Sequence, residues 1–280
     1  MTLSRFCSHV AVLFFVLALN ASALLAQTII TADGQTDTYT LFNNGFGGIA
    51  EETPDCAHPD FGPHITQQFD PDFNKPVFAF FIHVTPDNDR CINFDRQRNE
   101  VKVYDPSSDA LKGFLDDTVS YSWAFKLDSG FQPSPNFTHI HQLKAVGGDD
   151  SSPVITLTPR STSSGDILQL INVDSTGSTN ILASTDLTPF KGSWVVAQET
   201  AFYDNSGTYS VTLTQASDGA VLFSWSGSAD LWRNNTNYVR PKWGIYRSLN
   251  SQSFLRDEVV LYDQFCINKG GSCPNPTPGP

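Results

Sequence analysis

Apolar and polar positions alternate along most of this chain in short runs, the period-two pattern of strands with one buried face. The pattern predicts strands over 77–84, 99–104, 119–127, 138–146, 154–159, 167–173, 208–215, 220–226, 241–247 and 258–267. Between them lie clusters such as Asp-Pro-Ser-Ser-Asp at 105–109, Gly-Gly-Asp-Asp-Ser-Ser-Pro at 147–153 and Asp-Ser-Thr-Gly-Ser-Thr at 174–179, residues that close turns. Convincing helical periodicity is nearly absent, and no internal repeat or interdomain linker breaks the succession. Evenly spaced strands without helices imply an all-β fold, a two-sheet antiparallel jelly-roll sandwich spanning 27–268.

The two ends read differently. Arg5 precedes an apolar run over 10–19, and small residues at Ala21, Ala23 and Ala26 suit signal peptidase, so 1–26 is expected to be a secretory signal cleaved near Ala26. No later stretch approaches the roughly 18 apolar residues of a membrane span. The Gly- and Pro-rich tail, 269–280, is expected outside the core. Removing the signal removes Cys7 and leaves Cys56, Cys91, Cys266 and Cys273, an even set that suits an oxidising compartment. Of the three pairings, Cys56 with Cys91 and Cys266 with Cys273 close the most local loops; zinc ligation is the alternative. The sequons at Asn136 and Asn234 suit a secreted glycoprotein.

Composition agrees with β structure and narrows the partners. Aromatic residues make up 12% of the chain and charged residues only 16%, a balance foreign to Lys- and Glu-rich helical bundles. The formal net charge of −12 excludes a general nucleic-acid binder, which needs a basic footprint. An anionic ligand must therefore meet a local basic patch.

Three stretches carry candidate chemistry. In Asp95-Arg-Gln-Arg-Asn-Glu-Val-Lys-Val-Tyr104, alternation puts Arg96, Arg98, Glu100 and Lys102 on one face. A solvated face with ladder ion pairs is the plain alternative. In Phe137-Thr-His-Ile-His-Gln-Leu-Lys144, alternation puts His139 and His141 on one face, as a metal pair, as a base with a partner, or as hydrogen-bonded residues without chemistry. In Arg240-Pro-Lys-Trp-Gly-Ile-Tyr-Arg247, Lys242, Gly244 and Tyr246 share a face, with Gly244 either leaving room for a substrate or marking a bulge.

Together these stretches resemble the active-site strands of concanavalin A-like jelly-roll polysaccharide lyases, the group of alginate lyases, glucuronan lyases and heparin lyase I. Those alginate lyases carry Arg-x-Glu-Leu, Gln-Ile-His and Lys-x-Gly-x-Tyr strands in that order; here stand Arg98-Asn-Glu-Val101, His139-Ile-His141 and Lys242-Trp-Gly-Ile-Tyr246. The resemblance implies a secreted lyase that cleaves a uronic-acid polysaccharide by β-elimination, without a required cofactor. It implies that His141 is the base, Tyr246 the acid, and Arg98 with His139 the groups that neutralise the uronate. Arg96, Glu100, Lys102, Gln142, Lys242 and Arg247 are then expected to contact the substrate. His139 stands where the family has Gln, a departure that touches the substrate or the protonation scheme.

Two other functions compete. A glycan-binding module would use Trp194, Trp225, Trp232 and Trp243 as stacking platforms. A glycoside hydrolase needs two facing carboxylates, whereas Glu51, Glu199 and Asp230 are scattered in apparent loops. The dense segment Pro54-Asp-Cys-Ala-His-Pro-Asp-Phe-Gly-Pro-His64 reads as a disulfide-pinned connection, or else as a cleft-edge loop presenting His58 or His64. A structural calcium, as such folds often hold near their termini, would draw on Glu51 or Asp263. The mature protein is expected to be a soluble monomer.

Overall fold

The computed structural model describes residues 27–280, and the expected signal segment lies outside the described residues. In chain order the elements are β1 (Thr28–Ile30), α1 (Thr38–Phe46), β2 (Glu51–Glu52), β3 (Ile65–Asp70), β4 (Lys75–Ile82), β5 (Arg96–Lys102), β6 (Thr118–Leu127) and β7 (Thr138–Val146). There follow β8 (Ile155–Thr162), β9 (Gly165–Val173), β10 (Thr179–Asp186), β11 (Trp194–Phe202), β12 (Thr208–Gln215), β13 (Val221–Ser228), β14 (Tyr238–Ser248) and β15 (Glu258–Lys269).

The strands form two antiparallel sheets, the expected sandwich. One runs β13-β12-β11-β6-β15-β4-β3, with β1 also on β15; the other runs β10-β9-β8-β7-β14-β5-β2. Inward side chains of both sheets, among them Phe78, Phe80, Trp123, Trp243, Tyr262 and Phe265, are wholly or almost wholly buried in one core. The second sheet turns its other face outward, and β5, β14 and β7 lie side by side there.

Two departures from simple alternation matter. Between β7 and β14, Trp243 pairs with His141 but Tyr246 pairs with His139, so Gly244 and Ile245 stand opposite Ile140 alone. This bulge is fixed from inside by the Tyr262 hydroxyl, 2.8 Å from both the Ile140 and the Gly244 carbonyl oxygens. Gly244 adopts φ 138°, and a Cβ there would lie 2.1 Å from the Asn99 carbonyl oxygen. Gly244 is thus a bulge glycine pressed against β5, and it leaves no room for a sugar.

The disulfides join Cys56 to Cys91 and Cys266 to Cys273, the local pairing. The tail lies outside the sandwich core but is held on the outer face of the first sheet, where the Pro274 carbonyl accepts from Ser122 and Gln198. Asp263 accepts from Thr31 and the Ala32 N–H and pairs with Lys75 at 2.5 Å, so its oxygens are already engaged within the protein.

Candidate active site

Alternation along β5 sends Gln97, Asn99 and Val101 inward and Arg96, Arg98, Glu100 and Lys102 outward, as expected. Register then sets Tyr246 beside Arg98 on one side and His139 on the other, with Lys242 between Lys102 and Gln142. These residues come from three adjacent strands and form one polar face.

Its centre is a buried ion network. Glu100 pairs with Lys242 at 2.8 Å and with Arg98 at 2.5 Å, and Gln142 donates to its other oxygen. Burial alone would raise Glu100, but the charges of Lys242 and Arg98 outweigh it and hold the carboxyl below its ordinary value. Glu52 on β2 binds Lys242 at 2.5 Å, Lys102 at 2.7 Å and Arg90 at 2.9 Å. Asp89 holds Arg98 Nε at 2.9 Å. Lys242 and Arg98, expected to meet substrate directly, are therefore engaged by carboxylates of the protein, the Lys242 side chain being only 3% exposed.

The outer end of the face is less committed. The Tyr246 hydroxyl accepts from Arg96 Nη1 at 2.9 Å, and the Arg98 guanidinium lies 3.7 Å from the centre of its ring. Phe137 stacks on His139 with centroids 5.2 Å apart and lies 4.9 Å from the Tyr246 ring. His139 faces Tyr246 at 5.9 Å, with Nδ1 2.7 Å from the Thr158 hydroxyl. Burial, helped by the charges of Arg160, Arg98 and Lys242, lowers His139 to about 3, so the ring is neutral at ordinary pH. Arg96 grips Asp95 with two parallel bonds, Nε at 2.8 Å and Nη2 at 2.7 Å.

Two expected site residues lie elsewhere. The bulge breaks the expected shared face of His139 and His141: Ile140 and His141 both turn into the core, and His139 and Gln142 both turn outward. The His141 ring is fully buried, 4.3 Å from Trp123, with Nδ1 3.0 Å from the Lys242 carbonyl oxygen and Nε2 2.9 Å from Glu199 on the opposite sheet. Both nitrogens point at groups inside the sandwich, away from the polar face, so His141 cannot act as base there. Arg247 also points inward, bonded to Gln97 and to the Arg256 carbonyl, and burial lowers it to about 10.

Sequence reasoning missed Glu52, Asp89, Arg90, Phe137, Thr158 and Lys144, which burial and nearby Lys242 lower to about 8. Only the Asp-Asn-Asp-Arg-Cys run at 87–91 signalled any of them. Of the tryptophans that would serve a glycan-binding module, Trp194 and Trp243 are buried, and Trp225 and Trp232 pack partly buried against the core.

No family model and no curated protein sequence matches this chain. Solved structures do. An endo-β-1,4-glucuronan lyase from the fungus Trichoderma reesei superposes with a TM-score of 0.51 at 18% identity, over 73% of this chain and 86% of that one. The alginate lyase Aly36B gives 0.55 at 9% identity, over 89% and 98%. A family 7 alginate lyase, A1-II′, in complex with its GGMG substrate gives 0.51 at 14%, over 88% and 93%. What the chain shares with these polysaccharide lyases, across most of its length, is their jelly-roll fold.

Proposed function

We propose that this protein is a lyase that cleaves a uronic-acid polysaccharide by β-elimination, and that Tyr246 moves the proton. The observation that carries this reading is the arrangement of Arg96, Arg98, His139 and Tyr246 at one end of the polar face. The structural likeness to glucuronan and alginate lyases supports it.

Abstraction of the C5 proton is feasible only when the adjacent carboxylate is neutralised, because charge flows onto that group in the transition state. Arg96 has the geometry for it: its two-point grip on Asp95 is the grip a uronate carboxylate would take, and its third nitrogen already touches Tyr246. The substrate carboxylate replaces Asp95 on the guanidinium. Negative charge on the Tyr246 oxygen is supported by the Arg96 bond and by the Arg98 guanidinium over the ring. Tyr246 acts as the phenolate, its own proton given up to solvent before the step: the oxygen takes the C5 proton, the released electron pair forms the C4=C5 bond, the C4–O4 bond breaks, and the hydroxyl so formed passes that proton to O4. His139, neutral and tethered through Nδ1, offers its other nitrogen to the sugar.

The test is ultraviolet absorbance of the unsaturated product on a panel of polyuronates. The wild type should produce it, and Tyr246→Phe should lower turnover by about 10² to 10⁴. Arg96→Gln should lower kcat on polyuronates and weaken the binding of acidic oligosaccharide toward that of a neutral glycan. Near-wild-type turnover of a folded Tyr246→Phe protein would reject the mechanism.

A further inference from the structure

Outside the polar face, three histidines and an aspartate converge on one point. His58 and His64 come from the connection before β3, and His83 and Asp87 from the loop after β4; the Cys56–Cys91 disulfide ties the two segments together. One ligand atom from each of the four residues lies within 4.8 Å of all the others. His83 Nδ1, His58 Nδ1 and His64 Nε2 lie 3.1, 3.2 and 3.3 Å from the Asp87 carboxylate.

We propose that this cluster is a structural zinc site. His58 Nδ1 and His64 Nε2 lie near one Asp87 oxygen and His83 Nδ1 near the other, each at a spacing close to the edge of a tetrahedron with bonds near 2.0–2.1 Å, about 3.3 Å. His64 is arranged as a ligand: its Nδ1 donates to Asp55 at 2.8 Å, which orients the ring, while its buried Nε2 faces the Asp87 carboxylate without an aligned hydrogen bond. The Asp87 carboxylate is buried and anchored by the His83 N–H at 2.6 Å. Phe61 packs its ring 4.4 to 5.4 Å from all three imidazoles, a dry cap over nitrogen donors. Four protein ligands complete a tetrahedron, so the ion is held for structure, and imidazole with carboxylate suits zinc better than calcium or magnesium.

The site reaches the polar face through its own loop. The Asp87 carbonyl accepts from Gln97, the Asn88 carbonyl accepts from the Arg98 N–H, and Asp89 holds the Arg98 side chain. Zinc would therefore fix the loop that orients Arg98.

The experiment uses the full secreted chain without a histidine tag, incubated with zinc chloride, desalted and analysed for metal. About one zinc per chain is expected. Cobalt in its place should give the visible bands of a tetrahedral site. Zinc at a hundredfold excess over its Kd should raise Tm by about 5–10 °C, and a chelator should reverse the rise. His83→Ala and Asp87→Asn should lose the metal, and Asp55→Asn should bind it about 10- to 100-fold more weakly. Because the wild type alone reports Tm and stoichiometry, a variant that fails to fold does not decide the matter. Substoichiometric zinc with Tm indifferent to metal and chelator would overturn the site, as would zinc retained by folded His83→Ala.

Discussion

His139 and His141 sit two residues apart and meet opposite fates, which two substitutions should expose. His141→Ala leaves Glu199 without its partner in the core, and breaking a buried pair of this kind costs about 3–5 kcal/mol. Its signature is a lower denaturation midpoint in urea. His139→Ala should instead reduce turnover on a polyuronate while the midpoint moves little. His139 also bears on acid stability. Its folded pKa, about 3, is below the ordinary value near 6.5, so the unfolded chain takes up the proton first. The stability it contributes is present above pH 6.5 and lost as pH falls toward 3, by at most about 1.4 kcal/mol per pH unit. Replacing His139 by Gln should flatten that limb of a stability-versus-pH curve. In the folded protein the ring stays neutral, so turnover should show no inflection at an ordinary imidazole pKa.

At the scale of the element, the bulge between β7 and β14 decides which side chains share a face. Gly244→Ala drives a Cβ into the backbone of β5 at a φ that alanine rarely adopts. We expect it to lower stability by at least about 1–3 kcal/mol. Turnover should fall with it, since Lys242 and Tyr246 flank the residue, and calorimetry with a turnover assay on the same sample checks both. The alternation of β5 was legible because Val101 and, just beyond it, Val103 face the core while the other face carries charge. The face of His141 was not, because the bulge depends on the Tyr262 hydroxyl, which is remote in sequence. β11 escaped notice because the tail and its neighbours cover its outer side, so buried residues fall on both faces. Helix α1, capped by Asp37, buries only Thr38, Phe42 and Phe46, and Asn43, Asn44 and Gly45 in its last turn weaken its sequence signal.

Across the whole molecule, a net charge of −12 surrounds a face where Arg90, Arg96, Arg98, Lys102, Lys144 and Lys242 outnumber Glu52, Asp89, Asp95 and Glu100. Long-range repulsion of an anionic chain and short-range attraction at the face are screened differently, because the Debye length is about 10 Å at 0.1 M salt. Acidic oligosaccharide should therefore bind more weakly as salt rises from about 0.1 to 1 M, while a neutral glycan of equal length should show weak, salt-independent binding. Titration calorimetry at both ionic strengths distinguishes the two. Equal affinity for both glycans would remove the basic face from recognition. Charge and alternation together made this face and Glu100 legible; Glu52, which joins its centre from β2, was hidden because it arrives from a separate segment and carries no spacing signature.

The bulge has a consequence for how such chains are compared. The lyase motif that this chain resembles spaces its Gln and His two residues apart; the outward face of β7 carries His139 and then Gln142, three apart. The chemical inventory of the surface is kept while its order along the strand is exchanged. A gapless comparison therefore sets the motif's His against His141, a core residue here. Relatives of this chain are better sought by the set of side chains that a sheet face displays than by a linear string.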